Sequence, residues 1–411
     1  MKQEITQHIH DPETLESLYR KDKNAFAQAF PEASEGTDTE LVRFWLIRLG
    51  NENSAEKYIG LKKDLLMLAI FAVVIAVLVK LDSFISTISI GEFLLRNFAM
   101  IILAGLTAWF MLKNQINGAK NILLLMVPVI ALAIFLNMLP GMESDTTRLA
   151  LIHAPVFMWF IFGLSWVSFK YTSASEVSSF IRYNGELLSM FGLLCIAGAI
   201  LSGMTISLFS IIGMNIGDYY MQNIGIIGLA IFPVLAAWLI ELYPDITSRI
   251  APVIARIFTP LVLISAIVYM VAIAASDIHI SADRDFLITF NLLLLGVMAI
   301  VVFSLSELDR SGFRKFSVIL LFFLGVVTLI IDFYALSAII SRLSEGFTPN
   351  RTSVLVSNIL ILVHLLLILP GLFNAGFRGK PLTRVEKVVY SYLPVYFIYS
   401  FFVIFIFPII F

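Results

Sequence analysis

The sequence predicts an all-α integral membrane protein, a bundle of about eleven transmembrane helices. Of its 411 residues, 59% are hydrophobic and only 14% are charged, a balance that a water-soluble fold of this size does not tolerate. Apolar runs close to the ~20 residues that cross a hydrocarbon core recur along the chain. Because no segment alternates apolar and polar residues at period two, as transmembrane strands do, helices must satisfy the backbone in lipid.

Eleven apolar runs qualify as spans, and the count is expected to lie between 10 and 12 because the ends of each run are loosely defined. The second run is short, and the fifth is long enough to tilt or to end in a turn at the interface. In chain order the predicted spans are 65–81, 98–112, 121–139, 150–169, 187–210, 224–243, 257–275, 286–305, 316–340, 353–373 and 393–411.

The positions of lysine and arginine orient the bundle. Basic residues accumulate at the cytoplasmic ends of spans because moving them across the membrane is costly. With the N-terminus inside, 22 of the 28 basic residues fall in cytoplasmic segments and 6 in outer loops. The bias stays at 13 to 6 when the N-terminal tail is left out. The sequence therefore predicts a cytoplasmic N-terminus and an external C-terminus.

Residues 1–60 are polar and charged, and they predict a small cytoplasmic helical head before a transmembrane domain of residues 61–411. A first helix begins where Asp11 precedes Pro12, a capping residue followed by the residue type favoured at the first helical position. A second helix begins at Thr37, which forms a capping box with Glu40.

Two short helices bury too little apolar surface to fold alone. The head is therefore expected to lie against the membrane interface, the cytoplasmic ends of the bundle or a cytoplasmic protein partner. Trp45, with Arg43 and Arg48 beside it, suits an interfacial position.

Motifs of soluble enzymes are missing from the sequence. It contains no phosphate-binding Gly-x4-Gly-Lys-Ser/Thr loop, no Gly-x-Gly-x-x-Gly, no HExxH, no CxxC and no Gly-x-Ser-x-Gly elbow. The five histidines are scattered, so neither a metal site nor a cofactor is expected. The basic residues are spread over separate loops rather than clustered with aromatic residues, so we expect no nucleic-acid partner.

Ionisable residues are scarce within the predicted spans. Asp332 lies deep in the ninth span and His364 deep in the tenth, and such groups are costly unless they are paired or hydrated. The short connecting loop and the helical rise put both at similar depth. We therefore expect a buried polar pair, acting as an interhelical hydrogen bond or as a proton-responsive site. Tyr334 and Asn358 are expected to line a crevice that extends from this pair to the outer surface.

The outer loop between these two spans, SRLSEGFTPNRTS at 341–353, carries charged and turn-forming residues. Gly346 permits a positive φ, Pro349 fixes the chain before the next helix, and Asn350 is placed to cap that helix. Paired arginines at the membrane surface bind an anionic headgroup or a phosphate, or hold a nearby carboxylate and helix-end carbonyls. The candidate anion-binding residues of this loop are Arg342, Glu345, Thr348, Asn350 and Arg351.

The stretch RLSEGFTPNR at 342–351 resembles the signature R-I-x-E-Y-G-L-T-P-N-R of a family of bacterial polytopic membrane proteins catalogued as domain of unknown function 4153. DPETLESLYR at 11–20 is similar to the start of members from the Bacteroidetes group. The chain departs from the signature where the tyrosine before the glycine is missing and where Phe347 replaces leucine. The resemblance covers nearly the whole chain and implies a bacterial inner-membrane location, but it supplies no activity.

Three classes of function fit these features. Many spans, prolines within spans and one buried polar pair favour a transporter-like or permease-like role for a small or amphipathic solute. A membrane-embedded enzyme would act on a lipid-linked or phosphate-bearing substrate held by Arg342 and Arg351, but the outer loops contain no recognisable catalytic constellation, so an enzyme is the less favoured class. A scaffold or sensor would bind a cytoplasmic partner through residues 1–60.

Overall fold

The chain folds into helices throughout its described part, which contains no strand. The computed structural model describes residues 1–37, 39–49, 54–81, 91–170, 174–211, 214–244, 259–268, 270–271, 284–307, 314–344 and 346–411. These residues form two compact units, Met1–Ile70 and Phe71–Phe411. The predicted all-α fold is therefore confirmed for this part of the chain.

Four short helices form the first unit's N-terminal part, where the sequence predicted two. Asp11 caps the second of them by accepting hydrogen bonds from the backbone N–H groups of Glu13 and Thr14, as predicted. The last is capped by Thr39, whose hydroxyl accepts from Val42 N at 3.3 Å, rather than by Thr37. These helices are α1 Lys2–Gln7, α2 Pro12–Lys21, α3 Lys23–Ala33 and α4 Glu40–Leu49.

The four helices enclose an apolar core of their own. Trp45 is 2% exposed and packs against the rings of Tyr19, Phe26 and Phe30, with centroids 5.0–6.1 Å apart. The expectation that Trp45 lies at a membrane interface is therefore wrong. The core exists because α1 and α3 supply the apolar surface that two helices lack. The sequence did not predict α1, and it predicted α2 and α3 as one helix.

Arg48 ties α4 to α2 over the edge of this core. Its guanidinium lies 4.7 Å from the centroid of the Trp45 ring and donates to Glu16 at 2.8 Å. Hydrogen bonds to Glu16 from Arg20, and then from Arg48, hold the pKa of that carboxyl below its ordinary value. Folding lowers the pKa of Glu16, so its ionised carboxylate stabilises the folded state at a pH above the pKa of the unfolded chain. This stabilisation is lost as the pH falls through the lower pKa of the folded chain.

Long apolar helices make up the rest of the described chain. Within it, α6 to α10 and α13 to α15 are the eight helices long and apolar enough to cross a membrane. The helices after the head are α5 Ser54–Val79, α6 Glu92–Lys113, α7 Ala119–Met138, α8 Asp145–Trp166, α9 Ala174–Ile211, α10 Gly217–Leu242, α11 Thr259–Val268, α12 Arg284–Glu307, α13 Arg314–Leu343, α14 Pro349–Arg378 and α15 Thr383–Ile410.

Each of the eight spanning helices contains most or all of one predicted span. The remaining predicted spans, 65–81, 257–275 and 286–305, fall on α5, α11 and α12, and 257–275 lies partly outside the described residues. Of these, α11 and the Leu293–Ser306 part of α12 are shorter apolar segments. The chain is therefore a multi-pass membrane protein.

The second predicted span is longer than its apolar run suggested, because polar residues continue the helix to Glu92. Asn97 exchanges amide hydrogen bonds of 2.9 Å with Asn137 of α7. Arg96 donates to backbone carbonyls at the end of the same helix. Arg96 and Asn97 are buried in the bundle, where their polar atoms have partners.

The contact between α13 and α14 is close and antiparallel. A Cβ at Gly325 would lie 2.9 Å from Leu369 Cδ2, and a Cβ at Gly376 would lie 3.2 Å from Ile319 Cγ1. The two glycines therefore let the helix backbones approach each other, as small residues do in membrane bundles. The same contacts fix the register of the pair.

Trp45→Ala is expected to lower the free energy of unfolding of the head by about 3–5 kcal/mol, because it removes a fully buried ring. Phe44→Ala is the control, since that ring is 55% exposed, and we expect a change within about 0.5 kcal/mol. Hydrogen exchange of the α2–α4 amides in the full-length protein in nanodiscs measures both. An equal loss of protection in the two variants would contradict the central place of Trp45.

Candidate functional site

A cavity of about 1460 Å³ lies among the helices of the second unit. Residues of α8, α9, α12, α13, α14 and α15 line it, and most of the lining side chains are apolar. Pockets for small ligands usually enclose about 300–1,000 Å³, so this cavity has room for a ligand with a substantial apolar part.

The starts of α8 and α14 lie at the same end of the cavity. The His153 ring of α8 contacts the Tyr399 ring at a centroid distance of 5.4 Å, and the Tyr399 hydroxyl donates to the Ser353 carbonyl at 2.7 Å. These three residues therefore lie at the same height along the bundle. Arg148 and Arg351 both precede them on their helices and both line the cavity, so the two guanidinium groups belong to one end.

This end, here called the cationic end, carries most of the charged lining residues. Among the described lining residues it holds three arginines and one carboxylate. Four of the five predicted anion-binding residues are found here, and the fifth, Glu345, lies outside the described residues. The cationic end is formed by Asp145, Arg148, Arg342, Thr348, Asn350 and Arg351.

The turn before α14 has the geometry that its residues favour. Gly346 has a φ of 110°, and the Nη1 of Arg351 donates to its carbonyl at 3.0 Å. The Thr348 hydroxyl caps α14 by accepting from the backbone N of Arg351 at 3.3 Å. The expectation that Asn350 is the cap is wrong, because α14 already begins at Pro349 and Asn350 lies in its first turn.

Asp332 and His364 are both fully buried but are not hydrogen-bonded to each other. The α13–α14 register puts Asp332 level with residues 362–363, so the expectation of similar depth agrees with the structure. The His364 Nδ1, however, is hydrogen-bonded to the Tyr396 hydroxyl at 3.0 Å, and its ring stacks on Tyr392 at 4.4 Å. The predicted pair is therefore not formed, because His364 turns toward α15 and neither Asp332 oxygen has a partner in the described residues.

The two predicted crevice residues differ in their placement. Tyr334 is 51% exposed and does not line the cavity, so its expected role is wrong. It follows Asp332 by two positions, which is about 200° around a helix. Asn358 is 1% exposed and lines the cavity, and neither atom of its amide has a hydrogen-bond partner in the described residues.

Several lining residues were missed by the sequence reasoning. Arg148 entered only the charge count of the second outer loop, although it shares the cationic end with four predicted residues. Trp159 donates its Nε1–H to Asn184 Oδ1 at 2.9 Å on the cavity wall. Tyr396 joins the cavity to His364. Only the position of Arg148 beside a predicted span carried a usable signal.

The described residues enclose a candidate site and show no metal centre among them. No group of three His, Cys, Asp or Glu side chains in the described part of the chain is placed to hold a metal ion. The cavity instead combines a cationic end with an apolar body. Comparisons with protein-family models, curated proteins and solved structures find no match for this chain.

Asp332→Val is expected to raise the free energy of unfolding by about 1–3 kcal/mol, because it removes a buried carboxyl that has no partner in the described residues. The gain is measured as a higher midpoint of thermal unfolding in nanodiscs. Thr328→Val, one turn away on α13, is the control. The Thr328 hydroxyl donates to the Leu324 carbonyl at 2.7 Å, so its loss brings no such gain. A lower midpoint for Asp332→Val would mean that the carboxyl has a stabilising partner in the membrane.

Proposed function

We propose that the protein is a transporter-like or permease-like membrane protein for a small or amphipathic solute. The observation that carries this proposal is the cavity of about 1460 Å³, of whose six lining helices five are long and apolar enough to cross a membrane. Solute sites of membrane transporters form between helices near the middle of the bilayer, where side chains from several spans converge. Here six helices contribute to one cavity wall.

The lining of the cavity favours an amphipathic solute over a wholly polar one. Side chains such as Leu188, Ile196 and Met298 give the body of the cavity an apolar wall. A polar solute lying along that wall would lose its hydrogen bonds to water without replacement. A solute with one polar end and one apolar end satisfies both parts of the cavity.

We further propose eleven spans, with the N-terminus in the cytoplasm and the C-terminus outside. Residues that this topology assigns to one side lie close together in the structure, which supports it. Lys113 and Glu241, both assigned to the cytoplasmic side, form an ion pair of 2.7 Å. Arg96 donates to the Pro140 carbonyl at 2.7 Å, and both are assigned to the outer side.

The same topology brings the second and fifth outer loops together at the cationic end. Arg148 belongs to the first of these loops, and Arg342 and Arg351 to the other. We propose that the chain is a divergent relative of the family catalogued as domain of unknown function 4153 and lies in a bacterial inner membrane. The sequence of this turn, with its positive-φ Gly346, supports that assignment.

A second candidate is an enzyme that acts on a lipid-linked or phosphate-bearing substrate. It is favoured by one observation, that His153 lines the same cavity as the three arginines. The His153 Nδ1 is within 2.8 Å of the Leu149 carbonyl, a contact that leaves Nε2 as the nitrogen able to accept a proton. The arginines would then hold the phosphate.

Single-cysteine labelling tests the topology. In a Cys195→Ser background, Phe411→Cys is expected to react with a membrane-impermeant maleimide in intact spheroplasts. Glu13→Cys is expected to react only after permeabilisation, because an odd number of spans places the two termini on opposite sides. Labelling of both positions from the outside, or of neither, would contradict eleven spans.

Filling the cavity tests the function. Gly192 lines the cavity, and a Cβ at this position would meet nothing within 4 Å, so Gly192→Phe directs a large side chain from an open position of the cavity wall. Gly203 on the same helix is equally open but does not line the cavity, and Gly203→Phe is therefore the matched control. We expect only Gly192→Phe to slow the movement of a fluorescent single-chain amphiphile across proteoliposomes, several-fold.

Protection of the fluorophore from an external reducing agent reports this movement. Proteoliposomes of the parent protein that are no faster than protein-free liposomes would overturn the transport proposal. Release of phosphate or headgroup from a lipid-linked substrate, abolished in Gly192→Phe but not in Gly203→Phe, would favour the enzyme instead.

A further inference from the structure

We infer that the cavity selects a single-chain amphiphile with an anionic headgroup, which Arg148, Arg342 and Arg351 bind at the cationic end. This inference rests on the proposed function, because it takes the cavity to be the solute site. It adds the charge class of the ligand, the place of its headgroup and a polar group between headgroup and chain.

The three guanidinium groups come from three different helices. Arg148 lies in the first turn of α8, Arg342 in the last turn of α13 and Arg351 in the first turn of α14. Together with Asp145 they leave two net positive charges among the described lining residues. A guanidinium group presents a planar fork of N–H donors that matches a carboxylate or a phosphate.

Arg342 differs from a structural arginine elsewhere in the bundle. Arg96 is 9% exposed and donates to the carbonyls of Leu136, Leu139 and Pro140 at 2.7–2.9 Å, so the chain itself uses its donors. Arg342 lines the cavity and has no hydrogen bond or ion pair with the described residues. Within the described part of the chain its donors therefore remain available, as expected of a ligand-binding arginine.

The bonds that Arg148 makes also leave it suited to an anion. Its Nε donates to the Met142 carbonyl at 2.6 Å. The carboxylate with which it forms an ion pair among the described residues is that of Glu143, 3.6 Å away and fully exposed to solvent. An ion pair of that kind is weak in water. The backbone bond fixes the position of the guanidinium while its charge is little compensated.

Two helices also begin at this end and add to its positive potential. The N-terminus of an α-helix carries a partial positive charge from its unpaired N–H groups. Both α8, of 22 residues, and α14, of 30 residues, start beside the arginines. An anion at the cationic end is therefore attracted by side chains and backbone alike.

The position of Asn358 indicates that the ligand carries a second polar group, between its headgroup and its apolar chain. It lines the cavity, is 1% exposed and has an amide without any partner in the described residues. It lies seven residues after Arg351 on α14, which is about 10 Å at the rise of a helix. A ligand that bears a hydroxyl or an ester group about this far from its charge satisfies the amide, and its apolar chain fills the remaining volume.

Binding to the full-length protein in phosphatidylcholine nanodiscs tests this inference. The probes are lysophosphatidate, a monoacylglycerol with the same chain, and inorganic phosphate, each corrected for uptake by empty nanodiscs. We expect lysophosphatidate to bind at least about tenfold more tightly than the monoacylglycerol, because charge-assisted hydrogen bonds to phosphate are lost in the latter. Inorganic phosphate is expected to bind weakly, since it lacks the chain.

The variants place the selection at the cationic end. Arg342→Gln and Arg351→Gln are each expected to weaken lysophosphatidate binding by about tenfold and to leave the monoacylglycerol unchanged. Arg378→Gln is the matched control, because Arg378 ends the same helix, is exposed and does not line the cavity. Asn358→Leu is expected to raise the thermal midpoint and yet weaken lysophosphatidate binding, a combination that a merely structural residue does not give.

Each contrary result points to a different failure. Equal binding of lysophosphatidate and monoacylglycerol would overturn headgroup selection while leaving the cavity as a solute site. Phosphate binding as tight as that of lysophosphatidate would show that free phosphate is the ligand and overturn the role of the chain. Loss of lysophosphatidate selectivity in Arg378→Gln as well would show binding to the surface. If no amphiphile binds and Gly192→Phe has no effect on movement, the proposed function itself fails.

Discussion

The close contact between α13 and α14 is the feature on which the proposed site depends. Gly325 and Gly376 carry no side chain where residues of the other helix pack directly against them, and these contacts fix the distance and the register of the pair. The same register brings Arg342 and Arg351 to one end of the cavity and buries Asp332. A bulkier residue at either glycine would shift the two helices and with them Arg342, Arg351 and Asp332, although none of these three is hydrogen-bonded to the glycines.

Hydrogen bonding within the membrane divides the polar residues into two groups. In lipid no water replaces a missing partner, so paired side chains such as Asn97 and Asn137 stabilise the bundle. Asp332 and the amide of Asn358 have no partner in the described residues and cost stability instead. The second group marks where the sequence has not been optimised for the fold, and one of its members, Asn358, lines the cavity.

The sequence was sufficient to locate the long apolar helices but insufficient to predict which side of each helix faces its neighbours. The length of apolar runs identified the spanning helices because bilayer thickness sets that length. The depth of a residue in the membrane also follows from its number of residues from the helix end, which is why Asp332 and His364 lie at similar depth. The direction in which a side chain faces around its helix cannot be obtained in this way. The His364 ring faces α15 because it is hydrogen-bonded to Tyr396, 32 residues further on. Trp45 was misplaced because its ring partners lie on α2 and α3, which the sequence predicted as one helix. Arg148 was missed because its neighbours at the cationic end are distant in the chain.

The position of Trp159 relative to Arg148 limits how the ligand sits in the bilayer. Both residues line the cavity on α8, eleven positions apart, which corresponds to about 16 Å along the helix. A hydrocarbon core is roughly 30 Å thick, so this length is close to that of one leaflet. A ligand held by its headgroup at Arg148 would keep its chain at the depth it has among neighbouring lipids. Exchange with the membrane along the bilayer plane would then not require the chain to pass through water.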